Sequence, residues 1–178
     1  MLAFSLTGCA KKPELPNYGA IPDFQLTDQT GAAFPSAALK GKVWVADFIF
    51  TNCPGPCPMM SSKMNKIQKE LASNDGARLV SFSIDPLRDT PPVLAEYATH
   101  FEAQPGRWFF LTGSVAALNN LSKDAFHFGE IDGKNLEHSV RLALVDQSAQ
   151  IRGFYVSTEQ DVVPNLVADA RRLLEERP

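Results

Sequence analysis

An apolar run in this sequence ends abruptly in a loop with two cysteines, and this arrangement restricts the possible folds more than any other segment. Residues 43–50 read VWVADFIF, and Asp47 is the one charged residue among them. A short, β-prone run of this kind predicts a strand buried on both faces of a sheet. The next residues, 51–58 (TNCPGPCP), are rich in proline and cannot continue the strand. The sequence therefore predicts that Cys53 and Cys57 lie in a loop at the carboxyl end of a buried strand.

Helical spacing follows this loop. Apolar residues recur at intervals of three and four, which predicts a helix over residues 59–72 that packs one face on the core, namely Met60, Met64, Ile67 and Leu71. Pro58 precedes this pattern, where the first turn of a helix tolerates proline.

The rest of the chain alternates between strand and helix patterns. Further strands are predicted at residues 23–28, 78–84 and 108–111, and an antiparallel pair at 140–145 and 150–156. Further helices are predicted at residues 92–100, 114–123 and 160–176, with Thr90 as the N-cap of the first. This order predicts an α/β fold with a central mixed sheet flanked by helices and an N-terminal strand extension. In such sheets, ligands bind at the carboxyl ends of the strands.

The composition excludes several classes of protein. A chain of 178 residues with 44% apolar residues can bury a core without help from disulfides. The net charge of −3 gives no electrostatic basis for binding nucleic acid. The sequence has no run of 18 apolar residues, so no membrane-spanning helix is predicted. Three cysteines are too few for a disulfide scaffold.

The third cysteine, Cys9, has a different context. The sequence LTGC at residues 6–9 resembles the lipobox of bacterial lipoproteins, which implies that Cys9 carries lipid and holds the protein at a membrane. The alternative is a reduced cysteine in a disordered terminus. We expect residues 1–20 to be a lipoprotein signal remnant and flexible tether, and residues 21–178 to be the folded domain. The expected location is the extracytoplasmic face of a bacterial cell envelope.

Cys53 and Cys57 have the spacing of a chemically active pair. At i and i+4 in a loop that enters a helix, their Cα atoms would lie roughly 6 Å apart, within reach of a disulfide. A helix N-terminus favours thiolate over thiol. The pair can thus close a disulfide or offer two soft ligands to a metal. Two inert core cysteines are the third interpretation, which the proline-rich loop disfavours.

Three motifs together resemble the Sco/SenC family. Residues 48–58 (FIFTNCPGPCP) are similar to its Thr-x-Cys-Pro-x-x-Cys-Pro signature, residues 83–91 (SIDPLRDTP) to its Asp-Pro-x-Arg-Asp-Thr motif, and residues 137–146 (EHSVRLALVD) to its histidine motif. The resemblance implies a thioredoxin-like fold and a copper site formed by Cys53, Cys57 and His138. It also implies delivery of copper to the dinuclear copper centre of cytochrome c oxidase, or reduction of the cysteines there.

Coordination chemistry agrees with these implied ligands. Cu(I) is soft and accepts two thiolates and an imidazole, Cu(II) is a second form to consider, and zinc would require a fourth ligand. His100 and His127 lack a comparable motif. Met59, Met60 and Met64 are interpreted as core residues rather than ligands. For Asp85, a contact with the site and a plain turn role stay open. The chain departs from the family at Gly55, where many members carry aspartate.

Two functions of different classes follow. The first is a copper-binding metallochaperone, with a copper enzyme such as cytochrome c oxidase and a thiol reductant protein as partners. The second is a thiol–disulfide oxidoreductase, with Cys53 as nucleophile and Cys57 as resolving thiol. A peroxidase is a weaker third, because residues 50–53 loosely resemble those of peroxiredoxins. A remote ligand such as His138 discriminates among them, since dithiol exchange needs no distant histidine.

Overall fold

The computed structural model describes residues 14–129, 131 and 139–176, and within them a seven-stranded mixed sheet is flanked by helices. The strands are β1 (Gln25–Asp28), β2 (Ala33–Pro35), β3 (Val43–Ile49), β4 (Ala77–Ser83), β5 (Trp108–Thr112), β6 (Arg141–Val145) and β7 (Ile151–Val156). The helices are α1 (Cys57–Glu70), α2 (Pro91–His100), α3 (Val115–Asn119) and α4 (Val162–Glu175). The sheet order β2-β1-β5-β4-β3-β6-β7 confirms the predicted α/β class with a mixed sheet.

Strand β3 is the centre of the sheet, and every residue in it is buried. It pairs in parallel with β4 along its whole length and antiparallel with β6 on its other side. Ile49 and Ser83, the last residues of β3 and β4, are direct partners. The cysteine loop and the loop after β4 therefore leave the sheet side by side, at the edge where the sequence places the site.

Helix α1 presents the predicted apolar face to the core. Met60, Met64 and Ile67 are buried. The helix begins at Cys57 rather than at residue 59, with Pro56 as its N-cap. Pro58 does not delay the start of the helix. Backbone N–H groups in the first turn have no acceptor within the helix, so the missing N–H of proline costs no hydrogen bond there.

Helix α2 begins after Thr90, which occupies the predicted N-cap position in an extended conformation. Its side chain makes no capping hydrogen bond. The helix opens with Pro91 and Pro92, so the amide of the second helical residue is not available to a capping side chain. Rigid φ angles of the two prolines fix the start of this helix instead.

The third predicted helix, residues 114–123, changes its winding partway. Ser114 accepts a hydrogen bond from the Ala117 amide and caps α3, which continues as a π-helical turn over Asn120–Ala125. At its end the Phe126 amide donates to the Leu121 carbonyl, five residues earlier. The wider turn lets Leu121 and Phe126 both enter the core. Period-3.6 patterning alone does not reveal such a turn.

The β6–β7 hairpin has the predicted antiparallel pairing, and a segment from the N-terminal region lies against it. The Tyr18 amide donates to the Ile151 carbonyl, and the Ile151 amide donates back to Gly19. Residues 14–20 thus contact the folded domain, although they fall within the predicted tether. The division at residue 20 stays a prediction. None of the helices in the described part of the chain is long and apolar enough to cross a bilayer.

Candidate metal and thiol centre

Cys53 and Cys57 lie together at the carboxyl edge of β3. A tight turn follows the strand, in which the Cys53 amide donates to the Phe50 carbonyl at 3.3 Å. Cys57 is the first residue of α1. Both side chains are reduced and buried, with exposed fractions of 7% for Cys53 and 0% for Cys57, and the Cys53 thiol is close enough to raise the pKa of Cys57. The fold therefore brings the two thiols to the same edge of the sheet.

The electrostatics of Cys57 differ from the expectation for a helix N-terminus. Burial raises the pKa of the Cys57 thiol well above its ordinary value. A backbone hydrogen bond from Phe50 lowers this pKa, whereas the Cys53 thiol and the charge of Asp47 raise it further. The expected thiolate stabilisation is wrong for Cys57, because loss of solvation outweighs the partial charge of a helix terminus.

A buried carboxyl group lies in the sheet near the cysteines. Ser81 donates to Asp47 Oδ1 at 2.6 Å and in turn accepts the indole N–H of Trp108 at 3.0 Å. Oδ2 of Asp47 has no hydrogen-bond partner among the described residues. Burial raises the pKa of Asp47 to about 7, so near neutral pH the carboxyl group is substantially protonated. Sequence reasoning missed this residue, although one acid inside VWVADFIF was a visible signal.

The loop after β4 contributes two aspartates with different roles. Asp89 is buried, and its carboxylate accepts from the Thr51 hydroxyl at 2.6 Å and from the Thr51 amide at 3.2 Å. Asp85 instead accepts from the Arg88 guanidinium at 3.1 Å, within its own turn. The geometry therefore favours the turn interpretation for Asp85. Asp89 is the residue that reaches the cysteine loop, and sequence reasoning did not single it out.

Gly55 leaves space beside the first cysteine. A Cβ atom at this position would lie 4.0 Å from Cys53 Sγ, an ordinary contact distance. The backbone there is not in the left-handed region that favours glycine. An acidic side chain at residue 55 would fit, and its charge would lie close to the Cys53 sulfur.

The other candidate residues fall into two groups. His138 and Cys9 lie outside the described residues. His100 and His127 are exposed, the first at the end of α2 and the second with its ring Nδ1 3.2 Å from the Lys123 carbonyl. Within residues 14–129, 131 and 139–176, no group of three His, Cys, Asp or Glu residues has the arrangement of a metal site.

The methionines near the site belong to the core, as predicted. Met60 and Met64 are fully buried on the inner face of α1, and Met59 is half-buried against the same cluster. Their thioethers fill space between the helix and the sheet.

An open groove of about 410 Å³ runs between the cysteine loop and α2. Its walls are formed by eight residues, namely Thr51, Asn52, Pro58, Val93, Glu96, Tyr97, His100 and Phe101. The Tyr97 hydroxyl forms a 3.0 Å hydrogen bond with Ser61, and burial raises the pKa of Tyr97, with smaller contributions from Asp47 and the cysteines. The groove is lined by residues of the cysteine loop, although neither cysteine forms part of its wall.

Comparison with known proteins gives a consistent result. The model of the SCO1/SenC family matches residues 13–175. A SCO1 protein homolog from Bacillus subtilis is 44% identical over 160 residues, which cover 87% of this chain and 82% of that protein.

Solved structures with the same fold include three that bear on the site. A SCO1/SenC family lipoprotein from Bacillus anthracis has a TM-score of 0.80 at 34% identity, covering 88% of this chain and 95% of that one. BsSco, described as having a disulfide switch and as a member of the Sco family of cytochrome c oxidase assembly proteins, has a TM-score of 0.80 at 29% identity, covering 93% and 100%. Yeast Sco1 with copper bound has a TM-score of 0.69 at 26% identity, covering 93% and 92%. The thioredoxin-like fold expected from the motifs is thereby confirmed.

Proposed function

Given that this chain belongs to the SCO1/SenC family, we propose that it is a copper-binding metallochaperone whose metal ligands are Cys53, Cys57 and His138. The observation that carries the proposal is the pair of neighbouring buried thiols at the carboxyl edge of β3. Copper bound to yeast Sco1, a protein of the same fold, supports the choice of metal.

The donor set fits a soft cation. In the metal-free protein, burial keeps Cys57 protonated, because a thiolate there would be poorly solvated. A bound Cu(I) ion supplies the positive charge that makes two adjacent thiolates acceptable. Copper uptake therefore releases protons, and affinity rises with pH. His138 provides the imidazole that completes a trigonal set.

The cargo is destined for a copper enzyme. We place this chain's role at the dinuclear copper site of cytochrome c oxidase, where it delivers copper or reduces the site's cysteines. The support is that BsSco belongs to a family of cytochrome c oxidase assembly proteins. The groove beside Asn52 provides space for the partner. A lipid on Cys9 would hold the protein at the cell envelope, as suggested by the Bacillus anthracis lipoprotein.

Thiol–disulfide exchange is a second candidate, favoured by the proximity of the two buried thiols. In this reaction the Cys53 thiolate attacks a substrate disulfide and releases one substrate thiol. Cys57 then attacks the mixed disulfide, which releases the second thiol and leaves Cys53 and Cys57 oxidised. Two electrons pass to the substrate, and a thiol reductant protein restores the pair. The disulfide switch described for BsSco supports this activity.

A Cu(I) titration of the reduced protein, in competition with a chromophoric Cu(I) chelator, tests the metal site. Replacing His138 with Ala should weaken binding by at least roughly tenfold, because one of three ligands is lost. The exposed His100 is the matched control, and His100→Ala should leave the affinity unchanged. Equal affinities for wild type and His138→Ala would exclude His138 as a ligand.

A redox assay separates the two functions. The reduction potential of the Cys53–Cys57 pair and the rate of turnover with a model disulfide are measured in the absence of copper. Fast turnover together with weak Cu(I) binding would favour the oxidoreductase. Tight binding together with slow turnover would favour the metallochaperone.

A further inference from the structure

One buried carboxylate joins the loop after β4 to the loop that carries the cysteines. Asp89 accepts the Thr51 hydroxyl at 2.6 Å, and the Thr51 amide lies 3.3 Å and 3.2 Å from its two oxygens. On its other side, Asp89 accepts the Ser83 hydroxyl at 2.6 Å. The two strands that lead into these loops, β3 and β4, are paired at their last residues. Asp89 therefore links two loops across the edge of the sheet.

The carboxylate of Asp89 accepts hydrogen bonds from three groups, namely the Thr51 hydroxyl, the Thr51 amide and the Ser83 hydroxyl. Its side chain is 1% exposed, so each lost hydrogen bond would leave a polar group buried without solvent. The backbone of Asp89 is also held in place, because its amide donates to the Asp85 carbonyl at 2.9 Å. Charge-assisted bonds from a hydroxyl are among the stronger ones in proteins. Thr51 is thus fixed by both its backbone and its side chain.

The position of Thr51 connects this anchor to the cysteines. Thr51 lies two residues before Cys53, and the residues after Cys53 include Pro54 and Pro56, which restrict the backbone. At the other end, Cys57 is fixed by α1. Thr51 is therefore the residue that fixes the segment before Cys53. A displacement of Thr51 would also move Cys53.

We infer that Asp89 is a positioning residue for the thiol centre: it holds Thr51 so that Cys53 stays buried next to Cys57. The consequence for metal affinity rests on the proposed function, whereas the consequence for Cys53 accessibility does not. Loss of the anchor lets the segment before Cys53 move, which exposes the Cys53 sulfur and separates it from Cys57. In the wild type, Cys53 and Cys57 are already positioned for a metal. Without the anchor, they must be ordered when the metal binds, which lowers the affinity.

Alkylation of the reduced protein by iodoacetamide, resolved by peptide mass spectrometry, tests the inference without copper. Asp89→Ala should raise the alkylation rate of Cys53 roughly tenfold, with a smaller rise in Thr51→Val, which keeps the backbone amide bond. Amide hydrogen exchange measured by NMR should show loss of protection at Thr51 in Asp89→Ala. Cu(I) affinity, measured separately, should fall in the same order.

Ser83→Ala is the matched control, because it removes a 2.6 Å bond from the same carboxylate, and the 3.0 Å acceptor of the Asp85 amide, but leaves both Thr51 donors in place. It should leave Cys53 alkylation within about twofold of the wild-type rate. An equal increase in Ser83→Ala and Asp89→Ala would overturn the inference, since general loosening of the loop would then explain both.

Unchanged Cys53 alkylation in folded Asp89→Ala would also overturn it. If that variant does not fold, Thr51→Val decides by the same measurement, because it deletes only the hydroxyl bond to Asp89 and keeps the amide bond. A wild-type protein that binds no Cu(I) would refute the proposed function and leave the alkylation result intact.

Discussion

Asp47 and Ser81 share a 2.6 Å hydrogen bond in the centre of the sheet, on paired positions of β3 and β4. The second carboxylate oxygen of Asp47 has no partner in the described part of the chain, and its side chain is fully buried. Such a group is tolerated when protonated and costly when ionised. The ionisation of Asp47 therefore destabilises the core in a pH-dependent way. An asparagine at this position would not have this effect.

We expect Asp47→Asn to stabilise the protein at alkaline pH. Burial raises the pKa of Asp47 from 3.8 to about 7. Below 3.8 the carboxyl group is protonated in both states. Between these values the unfolded chain ionises first, so the free energy of unfolding of the wild type falls as pH rises towards 7, by on the order of 4 kcal/mol. Urea unfolding should show the benefit of Asn growing from about pH 4 to about pH 8.

The exposed Asp75 is the control for this measurement. Asp75→Asn should produce a stability difference that changes little over the same pH range. A benefit of Asp47→Asn that stays constant with pH would contradict the assignment of a raised pKa to Asp47.

The two cysteines should differ in reactivity towards alkylating agents. Cys53 is 7% exposed, Cys57 is completely buried, and burial raises the pKa of Cys57. In the reduced native protein at neutral pH, Cys53 should be alkylated more than roughly tenfold faster than Cys57, as expected of a nucleophile and a resolving thiol. Peptide mass spectrometry at early times measures both rates. In concentrated urea the rates should converge, and a native preference for Cys57 would reverse the proposed roles.

An acidic side chain at residue 55 should reduce the reactivity of Cys53. The Cβ atom of Gly55→Asp would lie 4.0 Å from Cys53 Sγ, and a nearby negative charge disfavours thiolate formation. We expect the Cys53 alkylation rate to fall roughly threefold to tenfold relative to Gly55→Asn, which has the same size without the charge. Added salt should narrow this difference because the loop is exposed to solvent. Equal rates in the Asp and Asn variants would refute an electrostatic role for this position.

Arg152 should hold the segment that precedes the first strand. Its guanidinium forms a 3.0 Å ion pair with Asp146 and donates to the carbonyls of Leu15 and Pro16 at 2.8 Å. Lysine cannot satisfy these acceptors simultaneously. Arg152→Lys should lower the free energy of unfolding by about 1–3 kcal/mol and speed chymotrypsin cleavage at Tyr18.

Arg171 provides the comparison, because its ion pair with Glu70 is half-exposed. Arg171→Lys should cost less than about 1 kcal/mol and leave cleavage at Tyr18 unchanged. Resistance of Tyr18 to chymotrypsin in Arg152→Lys would show that β7 holds the segment without Arg152.

Local patterns in the chain were sufficient for most of the secondary structure. The run at 43–50 and the methionine spacing after it predicted β3 and the inner face of α1, since both depend on neighbours in sequence. The three-residue strand Ala33–Pro35 was not predicted. It is stabilised by pairing with β1, and three residues are too few to show a strand pattern in the sequence. The π-helical turn at Asn120–Ala125 likewise follows from how Leu121 and Phe126 fill the core.

The identity and spacing of Cys53 and Cys57 are fixed by the sequence, and they define which sulfur atoms the candidate site offers to a metal or to a disulfide. The behaviour of those atoms depends on the fold. Burial sets the proton affinity of Cys57, and it depends on strands and helices far apart in the chain. The hydrogen bonds from Thr51 to Asp89 cross 38 positions and exist because parallel pairing ends β3 and β4 at the same edge.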